Sequence, residues 1–568
     1  MSTDQSDLAL ERLYALAKEH PNVVCMTQPM GAGVIKEFTW SEVLQETRKM
    51  ANHLIQLNLP SESKIAILSK NTAYWLMTDW AIWMAGHISI PLYPTLSSSS
   101  LKEILEHSDT ALLFIGKLDN WEILQTGIPS DMACIDLPLA PTSEHLSWDS
   151  ISAFTQPLEI LVRRGVDEVC TIIYTSGTTG SPKGVMHSFK TLAFAVAQGL
   201  KRFPLNMSDR MLSYLPLSHI AERILVEHVT LHTGMHIFFA ESLDTFIQDL
   251  QRAKPTFFFS VPRLWLKFKE NILLKISNKK LEFLLRVPLV NKLIQRKILT
   301  ALGLQHCRIV ASGAAPMPHS LVNWYKLLGL NIIELYGMTE NCGLSHSTQS
   351  NQPTPGTVGT PYTGVLSRID PISAEIQMSS SSLMLGYYKD KNSTNEAFTS
   401  DGWLRTGDQG LLDENGDLII SGRLKDLFKT SKGKYVVPAP IEDQLIMIEG
   451  VEACCVVGAN LSSPLGLLML SLDTVERCAN PVERKNLEEQ TALRLAEINA
   501  RLDAHERLSC LILVTTPWTI ESGFLTPTLK LKRNHVETVY QDLYESWCAI
   551  GRPVLWHDQA PSEVQKIS

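Results

Sequence analysis

The chain has 568 residues, a net charge of −8, 45% apolar residues and 19% charged residues. This balance is typical of a folded globular protein and excludes a disordered chain, while the length exceeds what one hydrophobic core supports. Because no net positive field surrounds the chain, nucleic acid is not expected among its partners.

Apolar runs and helical patterns alternate along the first part of the chain. KIAILS at Lys64–Ser69 predicts a buried strand, and AYWLMTDWAIWMAG predicts the helix that follows it. ISIPLYP and ALLFIG predict strands on either side of a helix at SLKEILEHSD. This β-α-β alternation predicts parallel sheets with helices on both faces. The serine runs at 97–100 and 379–382 are interpreted as loops.

The alternation returns in the middle of the chain. CTIIYTS and TFFFSVP predict strands, and RLWLKFKENILLKI predicts a helix after the second of them. CRIVASGAAP and NIIELYGMTE predict strands that end in polar loops.

The pattern changes near residue 400. SDGWLRTGDQGLLDENGDLIISGRLKD has Asp-Gly and Asn-Gly turns between short apolar runs, which predicts hairpins. The later segments VVPAPIEDQLIMIEGVEACCVVG and LLMLSLD predict a small α+β unit. We predict an α/β protein in which residues 1–422 form a large lobe of doubly wound parallel sheets plus a β-rich subdomain. Residues 423–568 are the predicted small C-terminal domain, with the boundary near 422–426.

Neither secretion nor membrane insertion is expected. MSTDQSDLALERLYALAKEH at the N-terminus has no basic segment followed by an apolar run, so no signal peptide is predicted. The most apolar window, WAIWMAGHISIPLYP from Trp80, is broken by Gly86, His87 and prolines, and a span needs about 20 apolar residues. The ten cysteines are scattered without a C-x-x-C pair, which favours reduced thiols in a cytoplasmic protein.

The segment YTSGTTGSPKGV, Tyr174–Val185, concentrates glycine, hydroxyl groups and one lysine after a predicted strand. Glycine lets backbone N–H groups approach an anion closely, the hydroxyls add donors, and Lys183 adds a positive charge. The Gly-Lys-Ser/Thr ending of a Walker A loop is missing, because Pro182 precedes Lys183 and Gly184 follows it. The segment predicts a phosphate-binding loop, but not that of a kinase or P-loop ATPase.

This loop resembles the signature loop of adenylate-forming enzymes, which include acyl-CoA synthetases, peptide-synthetase adenylation domains and luciferases. Further blocks are similar to those of the family and occur in the family's order. They are YLPLSHIAER from Tyr214, SGAAP from Ser312, ELYGMTE from Glu334, GWLRTGD from Gly402, SGRLKDLFKTSKG from Ser421 and LTPTLKLKR from Leu525. The resemblance covers about residues 20–540, and SVPRLWLKFKENILLKI and TPTLKLKR are most similar to long-chain fatty acid–CoA ligases.

The resemblance implies a two-step reaction with ATP, a fatty acid and coenzyme A as substrates. A carboxylate attacks the α-phosphorus of ATP and yields acyl-adenylate and pyrophosphate; a thiol then displaces AMP to give the thioester. A carboxylate is a poor acyl donor and AMP is a competent leaving group. Little covalent protein chemistry is needed, so positioning and charge stabilisation carry the rate.

The resemblance also implies where the phosphates and the metal bind. Mg²⁺ is the expected cofactor, held by Glu340 and the Thr175 hydroxyl, because hard cations take oxygen ligands. The β- and γ-phosphates are expected on Thr175, Ser176, Gly177, Thr178, Thr179, Gly180 and Lys183. Thr175 and Glu340 are therefore expected, with Lys530, to be the catalytic residues.

The nucleoside is expected on four of the blocks. Tyr336 would offer a ring face to adenine, and Gly313 to Ala315 would form a close backbone wall on its other side. Asp408 would accept hydrogen bonds from the ribose hydroxyls, and Arg423 would reach the ribose or a phosphate as a forked donor. The residues predicted to contact adenine are Gly313, Ala314, Ala315, Tyr336, Gly337, Met338 and Thr339.

The last block and the hinge are assigned by the same resemblance. In relatives a lysine of the last block reaches the bridging phosphate oxygens during adenylation, and Lys530 is the predicted residue here. Leu529-Lys530 replaces the frequent Gly-Lys, and the nearby Lys532 and Arg533 leave the register open. Lys425 matches the hinge about which a mobile C-terminal domain would rotate between the half-reactions.

The acyl end of the site has weaker signals. His219 matches a position at which relatives line the acyl or carboxylate pocket, with a structural histidine as the alternative. Residues 267–308 carry ten Lys/Arg against Glu270 and Glu282, beside apolar runs such as LEFLLRVPLV. This stretch is compatible with peripheral contact with an anionic inner membrane face. It is equally compatible with an amphipathic helix pair that has a solvated basic face.

Alternative functions stay open at this point. One is a fatty acyl-AMP ligase that loads a free-standing carrier protein. No attached carrier domain is predicted, because SWDSIS at 147–152, the nearest match to a carrier attachment site, lacks its glycine. Others are an aryl, short-chain or medium-chain acid–CoA ligase, and a non-catalytic sensor. The intact Lys183, Glu340 and Lys530 argue against a sensor. The sequence gives neither acyl chain length nor oligomeric state.

One segment departs from the family pattern. Relatives often show Gly-Glu and then Arg-Gly-Pro before GYY, whereas this chain reads AEIQMSSSSLMLGYY from Ala374. The glycine and arginine of that loop are absent, which leaves the local turn and any ligand contact there open.

Overall fold

The computed structural model describes residues 5–175, 182–288, 290–349, 354–520, 522–526 and 530–559. The chain divides into two compact units, Met1–Arg368 with Gln377–Arg405, and Ile369–Ile376 with Thr406–Ser568. The predicted domain boundary after residue 422 stays a prediction. It marks the point about which the C-terminal domain would rotate, whereas the two units are defined by their compactness.

The central sheet of the first unit is mixed. Its strands, in spatial order, are Gly386–Tyr387, Lys183–Ser188, Val169–Thr175, Ile88–Leu92, Lys64–Leu68, Thr110–Ile115, Cys134–Asp136 and Leu146–Ser147. From Val169–Thr175 onward neighbouring strands are parallel, and the apolar strand Ile88–Leu92 at the centre is buried on both faces. The first two strands add an antiparallel edge. The α/β prediction is confirmed, and the strands before and after the glycine loop pair antiparallel at that edge.

Two smaller sheets complete the strands that concern the site in this unit. One has the order Phe257–Ser260, Ile309–Gly313, Ile332–Tyr336, His346–Ser347 and Thr360–Pro361. The other has the order Arg210–Ser213, His236–Phe239, Val24–Gly31 and Val34–Thr39. In each sheet the first three strands are parallel and the remaining pairings are antiparallel.

Helices connect these strands at the predicted places. The α-helices of the first unit are Ala9–Glu19, Trp40–Gln56, Ala73–Met84, Ser98–His107, Trp121–Leu124, Trp148–Phe154, Phe189–Arg202, Ile220–Glu222, Val229–Thr233, Phe246–Ala253, Pro262–Leu273, Asn278–Arg286, Val290–Leu302, His319–Leu327 and Lys391–Ala397. Gln5–Asp7, Gln125–Gly127 and Thr339–Asn341 are 3₁₀-helices, and Arg223–His228 is a π-helix.

The loop prediction for residues 97–100 is wrong. Ser97 is the N-cap of the helix Ser98–His107, and its side chain accepts a 3.2 Å hydrogen bond from the Ser100 backbone N–H. Serine satisfies the unpaired donors of a first helical turn, so the run begins a helix. In the second run, Ser379 and Ser380 end the strand Glu375–Ser380, whereas Ser381 and Ser382 lie in the turn that follows, so the loop prediction holds for the second half only.

The helix Ala73–Met84 is buried along its whole length. Within it Trp75 and Trp83 both contact the Arg223 guanidinium, whose carbon lies 5.6 and 5.5 Å from their ring centroids. Arg223 is fully buried and forms ion pairs with Asp79 and Glu227. The apolar window from Trp80 is thus core, as predicted. Among the described residues, no helix is long and apolar enough to cross a membrane.

The second unit has its own sheet and core. The strands Val451–Val457, Leu465–Leu470, Leu511–Val514 and Val554–Trp556 form one sheet, and Phe428–Lys429 pairs with Tyr435–Val436. Apolar clusters around Leu468 and around Trp547 use alternate residues of these strands. The helices are Pro438–Leu445, Leu472–Arg477, Pro481–Asn499, Arg533–Tyr540, Gln541–Leu543, Tyr544–Ile550 and His557–Gln559.

Further strands are Val365–Ile369, Glu375–Ser380, Leu404–Leu412 and Leu418–Arg423. The last two form the predicted antiparallel hairpin, whose turn is DENGD at 413–417. All ten cysteines lie within the described ranges, and each is a free thiol.

Candidate functional site

The glycine loop closes a hairpin between Val169–Thr175 and Lys183–Ser188. Thr175 is paired with Lys183 in the antiparallel register, so both ends of the loop are fixed opposite each other. The Thr175 hydroxyl donates a long 3.5 Å hydrogen bond to the Lys183 carbonyl oxygen. The predicted phosphate-binding residues between them, Ser176, Gly177, Thr178, Thr179 and Gly180, lie outside the described residues.

Lys183 is held at the end of this hairpin by two neighbours. Its Nζ donates a 2.7 Å hydrogen bond to Ser393 Oγ and lies 5.1 Å from the centroid of the Tyr387 ring. The backbone of Tyr387 pairs with that of Val185, so the ring is fixed beside the lysine by the sheet. An ammonium group near an aromatic face gains about 0.5–2 kcal/mol. The arrangement keeps the cation beside the loop.

Glu340 lies in the short helix Thr339–Asn341 that follows the strand Ile332–Tyr336. Its Oε1 accepts a 2.8 Å hydrogen bond from the Tyr387 hydroxyl. Burial, and next the Glu340 carboxylate, raise the pKa of Tyr387 well above its usual value, so the phenol stays protonated and donates. Lys183 and Glu340 therefore contact the same side chain, that of Tyr387.

Neither Tyr387 nor Ser393 is among the predicted site residues. The sequence signal that could have identified Tyr387 is the GYY that follows the divergent segment from Ala374. There Ser380 Oγ accepts a 3.1 Å hydrogen bond from the Ser382 backbone N–H and lies 2.9 Å from the Ser382 hydroxyl. A serine turn thus occupies the position where relatives have glycine and arginine, and GYY still reaches the sheet edge.

His187 anchors the backbone next to Glu340. Its Nε2 lies 2.7 Å from the Thr339 carbonyl oxygen, which only accepts, so Nε2 carries the proton. Nδ1 then accepts from the Cys342 thiol, whose sulfur lies at 3.3 Å; the Thr191 hydroxyl, 3.2 Å from Nδ1, donates to the Ser188 carbonyl oxygen at 2.9 Å. Burial lowers the pKa of His187 to about 4, which keeps the ring neutral. His187 is a further residue that was not predicted.

The predicted adenine residues lie at the carboxyl ends of two neighbouring strands. Ile309–Gly313 and Ile332–Tyr336 are parallel neighbours with Gly313 opposite Leu335, so SGAAP and YGMTE leave the sheet side by side. A Cβ on Gly313 would lie 2.9 Å from the Leu335 carbonyl oxygen, and a Cβ on Gly337 would lie 2.3 Å from the Gly343 backbone. Both glycines are therefore required by close packing.

The exposed surface at these strand ends comes from the turn after Gly313. Ala314 has a left-handed φ of 66° and is exposed, as is Ala315, whereas Tyr336 is buried. Met338 donates its backbone N–H to Asn341 Oδ1 at 2.9 Å, which closes the turn that presents Thr339 and Glu340. The turn after Gly313 therefore exposes small side chains and backbone.

Asp408 and Arg423 meet in the second unit. They are paired in the hairpin register, and Arg423 Nε lies 3.1 Å from Asp408 Oδ1. The Asp408 side chain is 9% exposed and that of Arg423 is 58% exposed. Thr406 Oγ1 accepts a 3.1 Å hydrogen bond from the Asp408 backbone N–H, which fixes the strand around the carboxylate.

Lys530 and Lys425 are also in the second unit, and both are exposed. Lys530 is tied by its backbone to Thr526, through N–H to Oγ1 at 3.0 Å and C=O to N–H at 2.8 Å. Arg533 is committed elsewhere: it donates at 2.6 Å both to Glu442 Oε1 and to the Val456 carbonyl oxygen. Arg533 is therefore a structural residue, which removes it from the register ambiguity.

His219 begins the short helix Ile220–Glu222, and its Nδ1 accepts a 3.2 Å hydrogen bond from the Ala221 backbone N–H. Glu222 is fully buried and accepts from Ser213 Oγ and the Tyr214 backbone N–H, both at 3.0 Å. Burial raises the pKa of Glu222 to about 8. The helix cap gives His219 a structural task, and its role in an acyl pocket stays a prediction.

Comparison with known proteins gives matches over most of the chain. The family model described as AMP-binding enzyme matches residues 13–388, and the model for the C-terminal domain of AMP-binding enzymes matches residues 425–547. Similar proteins include the long-chain-fatty-acid–CoA ligase FadD15 of Mycobacterium bovis, 28% identical over 91% of this chain and 95% of its own length. Another is the human long-chain-fatty-acid–CoA ligase ACSBG2, 27% identical over 88% and 86%.

Solved structures match the fold with similar coverage. The adenylation domain of a carboxylic acid reductase from Segniliparus rugosus, in complex with AMP and a co-purified carboxylic acid, has a TM-score of 0.79. It is 21% identical and covers 96% of this chain and 95% of its own. The anthranilate CoA ligase AuaEII, in complex with anthranoyl-AMP, has a TM-score of 0.76 at 20% identity, over 95% and 100%.

Proposed function

The chain belongs to the AMP-binding enzyme family, and we propose that it is an AMP-forming ligase that joins a long-chain fatty acid to coenzyme A. The fatty acid first reacts with ATP to give acyl-adenylate and pyrophosphate. The coenzyme A thiol then displaces AMP to give acyl-CoA. Similarity to ligases named for long-chain fatty acids, at 27–29% identity over about nine-tenths of the chain, supports this substrate class.

One observation carries the proposal: Lys183 and Glu340 share Tyr387, one through its ring face and the other through its hydroxyl. A polyphosphate needs a cation on its oxygens, and its metal needs a hard anionic ligand. Lys183 directly follows the glycine loop in the sequence, and Glu340 contacts the same tyrosine as Lys183. Lys183 would hold the β- and γ-phosphates together with that loop, and the α-phosphorus would stay accessible to the carboxylate.

The residues present fit Mg²⁺. Glu340 Oε1 accepts one hydrogen bond from Tyr387, and in the described part of the chain no donor contacts its other carboxylate oxygen. Together with the Thr175 hydroxyl this gives oxygen ligands of the kind that Mg²⁺ prefers. When bound, the ion would neutralise negative charge on the phosphates. Glu340 and Thr175 would hold it.

The remaining roles fall to residues placed by the strand ends and the hairpin. Tyr336, with Gly313–Ala315 and Gly337–Thr339, would enclose adenine. Asp408 would accept from the ribose hydroxyls, and Arg423 would donate to the ribose or a phosphate. Lys530 would stabilise the charge that builds on the bridging oxygens, and the C-terminal domain would rotate about Lys425 before thioester formation. His219 would line the entry of the carboxylate.

We also propose a cytoplasmic enzyme with peripheral contact to an anionic membrane through residues 267–308. In the helix Asn278–Arg286, Lys279, Lys280 and Arg286 lie at helical spacing around Phe283, whose exposure is 67%. Leu274 is 84% exposed and Leu293 is 69% exposed in the same stretch. Apolar side chains among basic ones match the chemistry of an anionic lipid surface, where long-chain acids partition.

The proposed reaction is tested by acid-dependent exchange of pyrophosphate into ATP, across saturated acids of increasing length and an aryl acid. We expect a maximum with long chains, and thioester formation when coenzyme A is added. A maximum with acetate or an aryl acid would contradict the long-chain assignment and leave the adenylation chemistry in place. Adenylation without transfer to coenzyme A would instead favour a carrier protein as acceptor.

A further inference from the structure

The Tyr387 side chain is the only described group that hydrogen-bonds to the Glu340 carboxylate, through its hydroxyl at 2.8 Å from Oε1. The backbone of Glu340 is fixed separately, because its carbonyl oxygen accepts a 2.8 Å hydrogen bond from the Met384 N–H. The backbone contact positions the residue, whereas the rotamer of its carboxylate depends on the tyrosine.

Tyr387 itself is held rigidly. Its strand pairs with Lys183–Ser188, and its backbone N–H donates a 2.9 Å hydrogen bond to Thr394 Oγ1. The ring packs against a buried cluster formed by Val185, Met384 and Leu404. A rigid hydroxyl donor fixes a carboxylate with little loss of side-chain entropy at the moment of binding.

We infer that Tyr387 is a positioning residue that orients Glu340, so that one carboxylate oxygen faces the metal of the bound nucleotide. The inference rests on the proposed function and deepens it, because it assigns the orientation of the metal ligand to a residue outside the predicted blocks. Tyr387 does not contact the metal in this role. Its second task is to offer the ring face beside Lys183, which a phenylalanine would preserve.

The experiment is calorimetric titration of the full-length chain with ATP, once with Mg²⁺ and once with EDTA. Tyr387→Phe removes the hydroxyl and keeps the ring. We expect it to weaken MgATP binding about 10-fold, since a hydrogen bond to a charged group is lost, and to leave metal-free ATP binding unchanged. Tyr388→Phe is the matched control, because that hydroxyl donates to Asp109 at 3.3 Å, away from Glu340. We expect no change for it.

A double-mutant cycle separates positioning from packing. If Tyr387 acts through Glu340, Tyr387→Phe should add no further loss of MgATP affinity to Glu340→Gln. Additive losses, an equal loss for metal-free ATP, or wild-type affinity in Tyr387→Phe would each overturn the inference. A wild-type chain that binds no MgATP would contradict the proposed function, and this inference with it.

Discussion

Arg423 Nε lies 3.1 Å from Asp408 Oδ1 across the hairpin, and the arginine is the more exposed of the two. A sheltered carboxylate that already has one charged partner is well suited to accept from two adjacent hydroxyls. We therefore expect Asp408→Asn to weaken both ATP and AMP binding about 10- to 100-fold, because an amide accepts more weakly than a carboxylate. Titration calorimetry measures it. Glu414→Gln, on the exposed turn of the same hairpin, should bind like wild type.

Lys530→Ala and Lys532→Ala form a matched pair, since both lysines are exposed in the same short segment. Loss of a cation that stabilises developing charge costs about 100-fold or more in rate. We expect acid-dependent pyrophosphate exchange to fall by about this factor in Lys530→Ala and to stay near wild type in Lys532→Ala. The reverse result would show that the register is shifted and that Lys532 is the adenylation residue.

Lys425→Pro tests the hinge. Proline fixes its own φ and restricts the residue before it, so rotation about this position should be impaired. Lys425 lies in the turn that follows the strand Leu418–Arg423, which the Asp426 backbone N–H closes by donating to the Arg423 carbonyl oxygen at 3.1 Å. We expect pyrophosphate exchange to be largely retained while thioester formation falls about 10-fold or more. Equal losses in the two assays would count against a hinge at this residue.

His187→Gln should change the pH dependence of stability. The pKa of His187 is about 4 in the folded chain, below the usual 6.5, so the neutral form is favoured by folding. Its contribution is complete above about pH 6.5 and is lost as the pH falls toward 4, by about 1.4 kcal/mol per pH unit at most. Glutamine can still donate to the Thr339 carbonyl oxygen and does not titrate.

The unfolding temperature of wild type should therefore fall more steeply than that of His187→Gln between pH 6.5 and 4. His236 and His346, whose pKa values burial also lowers to about 4, contribute equally to both proteins. Parallel profiles from scanning fluorimetry would show that His187 is not the group responsible.

Phe283→Ser and the charge reversal Lys279→Glu/Lys280→Glu test the membrane surface. Each basic residue near an anionic bilayer contributes about 1 kcal/mol, so the charge reversal should weaken vesicle binding by more than 10-fold. Co-sedimentation with phosphatidylcholine vesicles, with and without phosphatidylserine, measures it. Phe154→Ser is the control, because Phe154 is 89% exposed and lies outside this stretch. No preference for phosphatidylserine in the wild type would contradict the proposal.

The strands and most helices could be predicted from the sequence. Buried parallel strands are recognisable because they are continuously apolar, as in Ile88–Leu92. The serine run at 97–100 was misread, since composition alone does not distinguish a loop from a helix N-cap. Tyr387 and His187 were not predicted because each acts through a partner more than 45 residues away, Glu340 or Thr339. Side-chain contacts of this separation depend on sheet order, which periodicity does not encode.

The strand Lys183–Ser188 is paired on both sides, and its residues 183 and 187 point to the same face. The register of this strand therefore sets the spacing between the Lys183 ammonium group and the turn that carries the Glu340 carboxylate. A one-residue slip would turn both side chains to the other face, so Lys183 would leave the Tyr387 ring and His187 would leave the Thr339 carbonyl oxygen. Changes in the length of the glycine loop are expected to be tolerated only where they leave the strand Lys183–Ser188 in register.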